Sequence, residues 1–355
     1  KTLLMKGLAA AVLLAVSLSC NSRLPAPERP QAGQKSVTII LGGSSDPVKS
    51  ASIGEEDEFR VENWAYWVFN RYGMAVKCGE SIGDSASVNL LTGDYTIVVI
   101  TNYPTSGIWK LPVSTGITKD VLEDRISDLS SNAPGHFLMM GETSVSIIGN
   151  TVNPVEVRVA RLVAKVGIRK IVLAYDNPRL KAKLTRLKGI YLTNLYRTTR
   201  LGSDWKTTEL SDDPSVWYNA MGWHRSNAQT QSPEIDLLTA DRDLDEILSS
   251  STPYGKQHLF FCYPNPVPKE NDPHDPAWSI RCSRMVLETE VDGTAYYYQI
   301  PIPAMKRNTP YIADEVIIRD LGSLDPEEEI PGSLEVTFST EIAGWEGDYV
   351  ITEES

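Results

Sequence analysis

The chain has 355 residues, with 34 Lys and Arg against 46 Asp and Glu, for a formal net charge of −12. That balance excludes a nucleic-acid binder, whose affinity rests on a basic face against phosphates, and a polybasic membrane-surface anchor. Hydrophobic residues at 41% allow a packed core, and the length suggests two domains; four cysteines and four histidines are too few for a disulfide scaffold or a multi-metal protein.

Lys1 and Lys6 flank a short positive region, followed by an uncharged apolar stretch at residues 8–16. The stretch has the length of a secretory signal core and falls short of the about 20 apolar residues that span a bilayer. Ser17-Leu18-Ser19-Cys20 then places a small residue before a cysteine, similar to the lipobox of bacterial lipoproteins. The expectation is a signal peptide at 1–19, a lipid on Cys20 and a Pro-containing tether over 20–35. The alternative is an ordinary signal peptide with an incidental cysteine.

Residues 36–41 form a β-branched run ended by Gly42-Gly43-Ser44-Ser45-Asp46-Pro47, a strand with a loop behind it. Residues 59–70 are apolar on both alternating faces toward their end, as in a strand buried on two sides. Further strands are expected at 88–91, 95–102, 137–140, 145–148 and 155–168. Residues 118–131 carry Val121, Leu122, Ile126 and Leu129 near helical spacing and predict a helix. In the second half, strands are expected at 170–174, 189–196, 257–263, 280–291, 295–302, 314–321 and 333–340. Residues 204–243 read as a long irregular stretch, and 241–248 as a short helix. The pattern is mainly β: two tandem β-sandwich domains of transthyretin-like type with a few short helices, spanning 36–164 and 165–355. No 20–50-residue repeat indicates a solenoid or propeller.

The residues offer no catalytic motif, metal site or cofactor site. His136, His224, His258 and His274 are scattered, without HExxH or ligand-pair spacing, and no GxSxG elbow or phosphate loop is present. Acid runs such as Glu327-Glu328-Glu329 read as solvated surface. Cys262 and Cys282 flank a Pro-rich loop and are a candidate disulfide, with Cys78 as a buried small hydrophobe. Trp205, Trp217, Trp223 and Tyr218 crowd the irregular stretch. They read either as a satellite core or as a sugar-stacking platform.

Four segments then occur in order: the signal and tether leading to the aromatic strand that ends Val68-Phe69-Asn70; Gly93-Asp94-Tyr95 with the apolar run to Asn102; Arg161-Leu162-Val163-Ala164-Lys165; and Tyr296-Tyr297-Tyr298-Gln299-Ile300, then Asn308-Thr309-Pro310-Tyr311, Gly322-Ser323-Leu324-Asp325-Pro326 and Gly344-Trp345. Together they resemble the fimbrillins, the type V pilin family of major and accessory fimbrial subunits. The resemblance implies a non-enzymatic surface lipoprotein held in the outer membrane through its lipid. It implies that a trypsin-like protease cuts the loop after the first strand (36–42), that this strand leaves, and that the C-terminal segment of another fimbrial subunit fills its groove. Here the departing groove fillers are Val37, Ile39 and Leu41, and the cut falls between Lys49 and Ser50. Lys49 stands where an arginine-specific enzyme needs Arg, so the implied protease accepts lysine; otherwise Lys49 is one more loop lysine. The donor is the tail 346–355 with Tyr349, Val350 and Ile351, or else that tail is a frayed terminus. The rival reading is a non-polymerising outer-membrane lipoprotein that binds a glycan, through the tryptophan loop, or a protein partner, or the anchor or tip component of a fimbria.

Overall fold

The computed structural model describes residues 33–42, 58, 60–148, 154–202, 214–221, 234–266 and 282–339. It is mainly β. The first half contains β1 (Lys35–Gly42), β2 (Trp64–Asn70), β3 (Ala75–Ser81), β4 (Ser85–Leu90) and β5 (Gly93–Thr101). The short helix α1 (Lys119–Glu123) precedes β6 (Ile126–Asp128), β7 (Met139–Ile147), β8 (Val155–Arg158) and β9 (Ala160–Arg161).

The second half opens with β10 (Ala164–Ile168), β11 (Ile171–Leu173) and helix α2 (Pro178–Lys181). Then come β12 (Thr185–Thr193), β13 (Leu195–Tyr196), β14 (Thr198–Arg200) and β15 (Trp217–Tyr218). It closes with β16 (Ala240–Asp241), β17 (Glu246–Leu248), β18 (His258–Cys262), β19 (Arg284–Val291), β20 (Thr294–Pro301), β21 (Pro310–Ile318) and β22 (Leu334–Ser339).

In the first half, β4-β1-β8 form a three-stranded sheet over the five-stranded sheet β3-β2-β5-β7-β9. The period-two rule shows which residues face which way. On β2, Trp64, Tyr66 and Val68 face the three-stranded sheet, while Ala65, Trp67 and Phe69 face the core shared with the second half. On β5, Ile97 and Val99 take the first side and Val98 and Ile100 the second. Both strands therefore read as continuous apolar runs because both faces are covered.

In the second half, β11-β21-β10-β18, with β22 on β21, faces β16-β12-β19-β20, with β17 on β12. Asp292 and Gly293, at φ 50° and 82°, form the two-residue turn between β19 and β20; two left-handed positions match the twist of a tight hairpin. The halves also interlock. β6 pairs antiparallel with β14, and the larger core cluster runs from Ala65 to Ile318 across both.

Several expectations need correction. Residues 118–131 are α-helical only at Lys119–Glu123, capped by Thr118 Oγ1 accepting from Val121 N at 3.3 Å, with a single 3-10 turn at Leu129–Ser131. Val121 and Ile126 are 46% and 47% exposed, so half of the apparent apolar stripe points to solvent. Ile126–Asp128 instead joins β14, and sheet pairing overrides local helical propensity. The short helix expected at 241–248 is the pair β16 and β17, both antiparallel to β12. The strands expected at 137–140 and 145–148 are one strand, β7.

The long strand expected at 155–168 is three pieces in three sheets: β8 beside β1, β9 beside β7, and β10 in the second half. No disulfide joins Cys262 and Cys282. Cys262 lies on β18 with its thiol toward Met305 Sδ at 3.8 Å, while Cys282 precedes β19 in the opposite sheet. Burial pushes the Cys262 thiol up to about 12.

Candidate functional site

The first strand occupies the centre of its sheet. β1 pairs antiparallel with β4 from Lys35↔Leu90 to Ile40↔Ser85, and parallel with β8 from Ile39↔Val155 to Gly42↔Arg158. β4 and β8 meet in that sheet only through β1. Val37, Ile39 and Leu41 alternate inward and are 0%, 0% and 2% exposed. They rest on Trp64, Tyr66, Val68, Ile97 and Val99 below, with Val88 and Val157 alongside. Burying three such side chains contributes about 5–9 kcal/mol by side-chain transfer values. Loss of β1 would leave an apolar trough between two unpaired strand edges, a surface that a substitute strand fits and water does not.

A polar clamp lies just beyond the segment that follows β1. Glu58 is 5% exposed, and its Oε1 accepts from Lys165 Nζ at 2.8 Å. Arg161 Nε donates to the Glu58 carbonyl at 3.1 Å, and its Nη1 donates to Asn308 Oδ1 at 3.2 Å. Asn308 sits at φ 48°, a left-handed turn position that asparagine tolerates. Lys165 Nζ also lies 6.0 Å from the Phe261 ring centroid. Arg161 and Lys165 belong to the Arg-x-x-Ala-Lys segment, so that segment holds the chain end that re-enters the fold after β1. A carboxylate this buried is stable only when paired.

Arg161 and Lys165 were singled out as a pattern; Glu58 was not singled out at all. The signal available was a lysine inside an otherwise apolar strand, which needs a buried anion. Cys20, Lys49, Ser50, Tyr349, Val350 and Ile351 lie outside the described residues, as do Trp205, Trp223, His224 and His274. Trp217 is fully buried and stacks on Tyr196 at 4.2 Å between centroids, and the Tyr218 hydroxyl donates to Asp128 at 2.7 Å. Trp217 and Tyr218 are thus core residues and not a platform. His136 faces Glu62 at 3.3 Å, and His258 is buried between Asp241 at 2.5 Å and Tyr254 at 2.9 Å. Among the described residues, no group of three His, Cys, Asp or Glu side chains is placed to hold a metal.

No family model and no curated protein matches the sequence. Solved structures do match the fold. A protein assigned to cell adhesion from Bacteroides eggerthii superposes with a TM-score of 0.60 at 17% identity, over 88% of this chain and 97% of that one. One assigned to cell adhesion from Parabacteroides distasonis gives 0.59 at 13% identity, over 86% and 98%. The fimbrilin FimA of Porphyromonas gingivalis gives 0.57 at 12% identity, over 85% and 96%. The resemblance read from the sequence holds at the level of the fold, and the chain has the fold of the fimbrilins.

Proposed function

We propose that this chain is a structural subunit of a cell-surface fimbria and supports adhesion without catalysing a reaction. The carrying observation is the placement of β1: the first described strand, central in its sheet, whose three inward side chains are at most 2% exposed. In this reading Cys20 carries the lipid that holds the precursor in the outer membrane. A lysine-accepting, trypsin-like protease cuts between Lys49 and Ser50, and β1 leaves. The tail of a second subunit then enters between β4 and β8, with Tyr349 and Ile351 on one face and Val350 on the other. The Glu58 clamp supports this order of events. A cut on its N-terminal side leaves Glu58 fastened to Lys165 and Arg161, while β1 is held by β4 and β8.

The fold shared with FimA supports the fimbrial role, and the solved structures assigned to cell adhesion support the surface location. Within the reading, residues 36–164 and 165–355 act as two sandwich units, the first accepting a strand and the second donating one.

The test uses unlipidated precursor treated with a trypsin-like protease and run unboiled on a denaturing gel. A ladder of higher-order species is expected, and deletion of residues 347–355 abolishes it. Cleavage after Lys49 that leaves a stable monomer still carrying residues 36–49 would overturn the reading.

A further inference from the structure

A cavity of about 570 Å3 lies where the two halves meet, within the roughly 300–1,000 Å3 range of small-molecule sites. None of the side chains facing β1 lines it, so it is separate from the strand groove. Met140, Leu162, Leu201 and Met305 supply apolar wall. Arg161, Lys306 and Arg307 supply the cations. The two carboxylates at the edge, Glu123 and Glu142, are both engaged by Lys119, at 3.3 Å and 2.5 Å.

Arg307 is the unusual member. One terminal nitrogen donates to the carbonyls of Leu201 and Gly202 at 3.0 Å and 2.7 Å. The other donates to Thr199 Oγ1 at 2.9 Å and to the Arg200 carbonyl. Each of these hydrogen bonds ends on a neutral oxygen, so among the described residues the guanidinium is held rigidly with its charge answered by dipoles. Burial pushes Arg307 down to about 10. A desolvated cation in such surroundings gains more from an anion than a solvated one does.

We propose that this cavity binds a small amphiphilic carboxylate, its chain against Met140, Leu162, Leu201 and Met305 and its head on Lys306, within the field of the Arg307 charge. A neutral ligand leaves the guanidinium charge unanswered, and a cationic one meets like charge. The site is independent of strand exchange.

Decanoate, decanol and decylammonium titrated into the full chain by calorimetry test the proposal. Decanoate should bind saturably at one site, with decanol and decylammonium at least about tenfold weaker. Ala160→Trp, on a partly exposed wall residue, should fill the cavity and abolish binding. Lys306→Glu, at an exposed position, should weaken decanoate about tenfold while the thermal melt stays unchanged. Equal binding of the three probes, or decanoate binding that survives both substitutions, would overturn the proposal. So would binding that occurs only after residues 50–57 are deleted, which would assign the cavity to the chain's own acidic segment.

Discussion

Lys165→Met removes the cation from a buried pair whose side chains are 1% and 5% exposed and 2.8 Å apart. Methionine keeps the length and the contact with Phe261, so packing changes little. What remains is a buried Glu58 carboxylate that has lost its lysine. Breaking a buried pair from one side costs about 3–5 kcal/mol, far more than the about 0–1 kcal/mol of an exposed pair. At about 2–4 °C per kcal/mol, the melting temperature should fall by roughly 6–20 °C. Glu58→Leu combined with Lys165→Met removes both charges and should recover most of that loss, since a hydrophobic replacement of a buried pair is often neutral. The Arg161 bond to the Glu58 carbonyl persists in the double variant. Guanidinium unfolding followed by tryptophan fluorescence gives the three values. A single substitution costing under about 1 kcal/mol, or a double variant no better than Lys165→Met, would refute the clamp.

Asp128 gives a pH dependence. Burial pushes its carboxyl up, but hydrogen bonds from Ser130, Arg197 and Tyr218 outweigh burial and hold it below the ordinary value. A depressed folded pKa contributes stability above the unfolded value, and that stability is lost as pH falls through the folded one. The melting gap between the native chain and Asp128→Asn should therefore be full at pH 7 and shrink below about pH 4; a constant gap would contradict this. The Cys262 thiol, pushed up to about 12 by burial, holds almost no thiolate at pH 8. Iodoacetamide should label it only on unfolding, read by peptide mass spectrometry, and rapid labelling of the folded chain would contradict its burial. Gly141→Ala would bring a Cβ to 1.8 Å from the Arg158 carbonyl oxygen and 3.0 Å from Val159 Cα. Backbone must yield there, so stability should fall by about 1–3 kcal/mol or more and the melt with it, with β8 amides exchanging faster; a native melt would show that β7 and β8 can separate freely.

Strands whose local pattern agrees with their burial were legible from the residues. β2 and β5 alternate between two apolar surroundings, and β1 is β-branched and bounded by glycine, so periodicity and burial give the same answer. Residues 118–131 misled because Val121 and Ile126 imitate a helical stripe while pointing outward. Residues 155–168 misled differently: apolar residues recur through Val155, Val157 and Val159 and then Leu162, Ala164 and Val166 while the chain changes sheet twice, and periodicity carries no information about the partner strand. The clamp was hidden for a third reason. Lys165 and Glu58 stand 107 residues apart, and only the folded topology brings them together. Cys262 and Cys282 look like cross-strand neighbours along the chain, yet Cys262 lies on β18 and Cys282 precedes β19 of the opposite sheet.

The central claim is that β1 is a temporary occupant of the first-half core. The most direct measurement is the N-terminal residue of the chain within the assembled surface polymer, read by peptide sequencing. Ser50 is expected there, with residues 36–49 absent from the polymer and Glu58 still fastened to Lys165. Polymers whose chains begin at lipidated Cys20, with Val37, Ile39 and Leu41 retained, would contradict it.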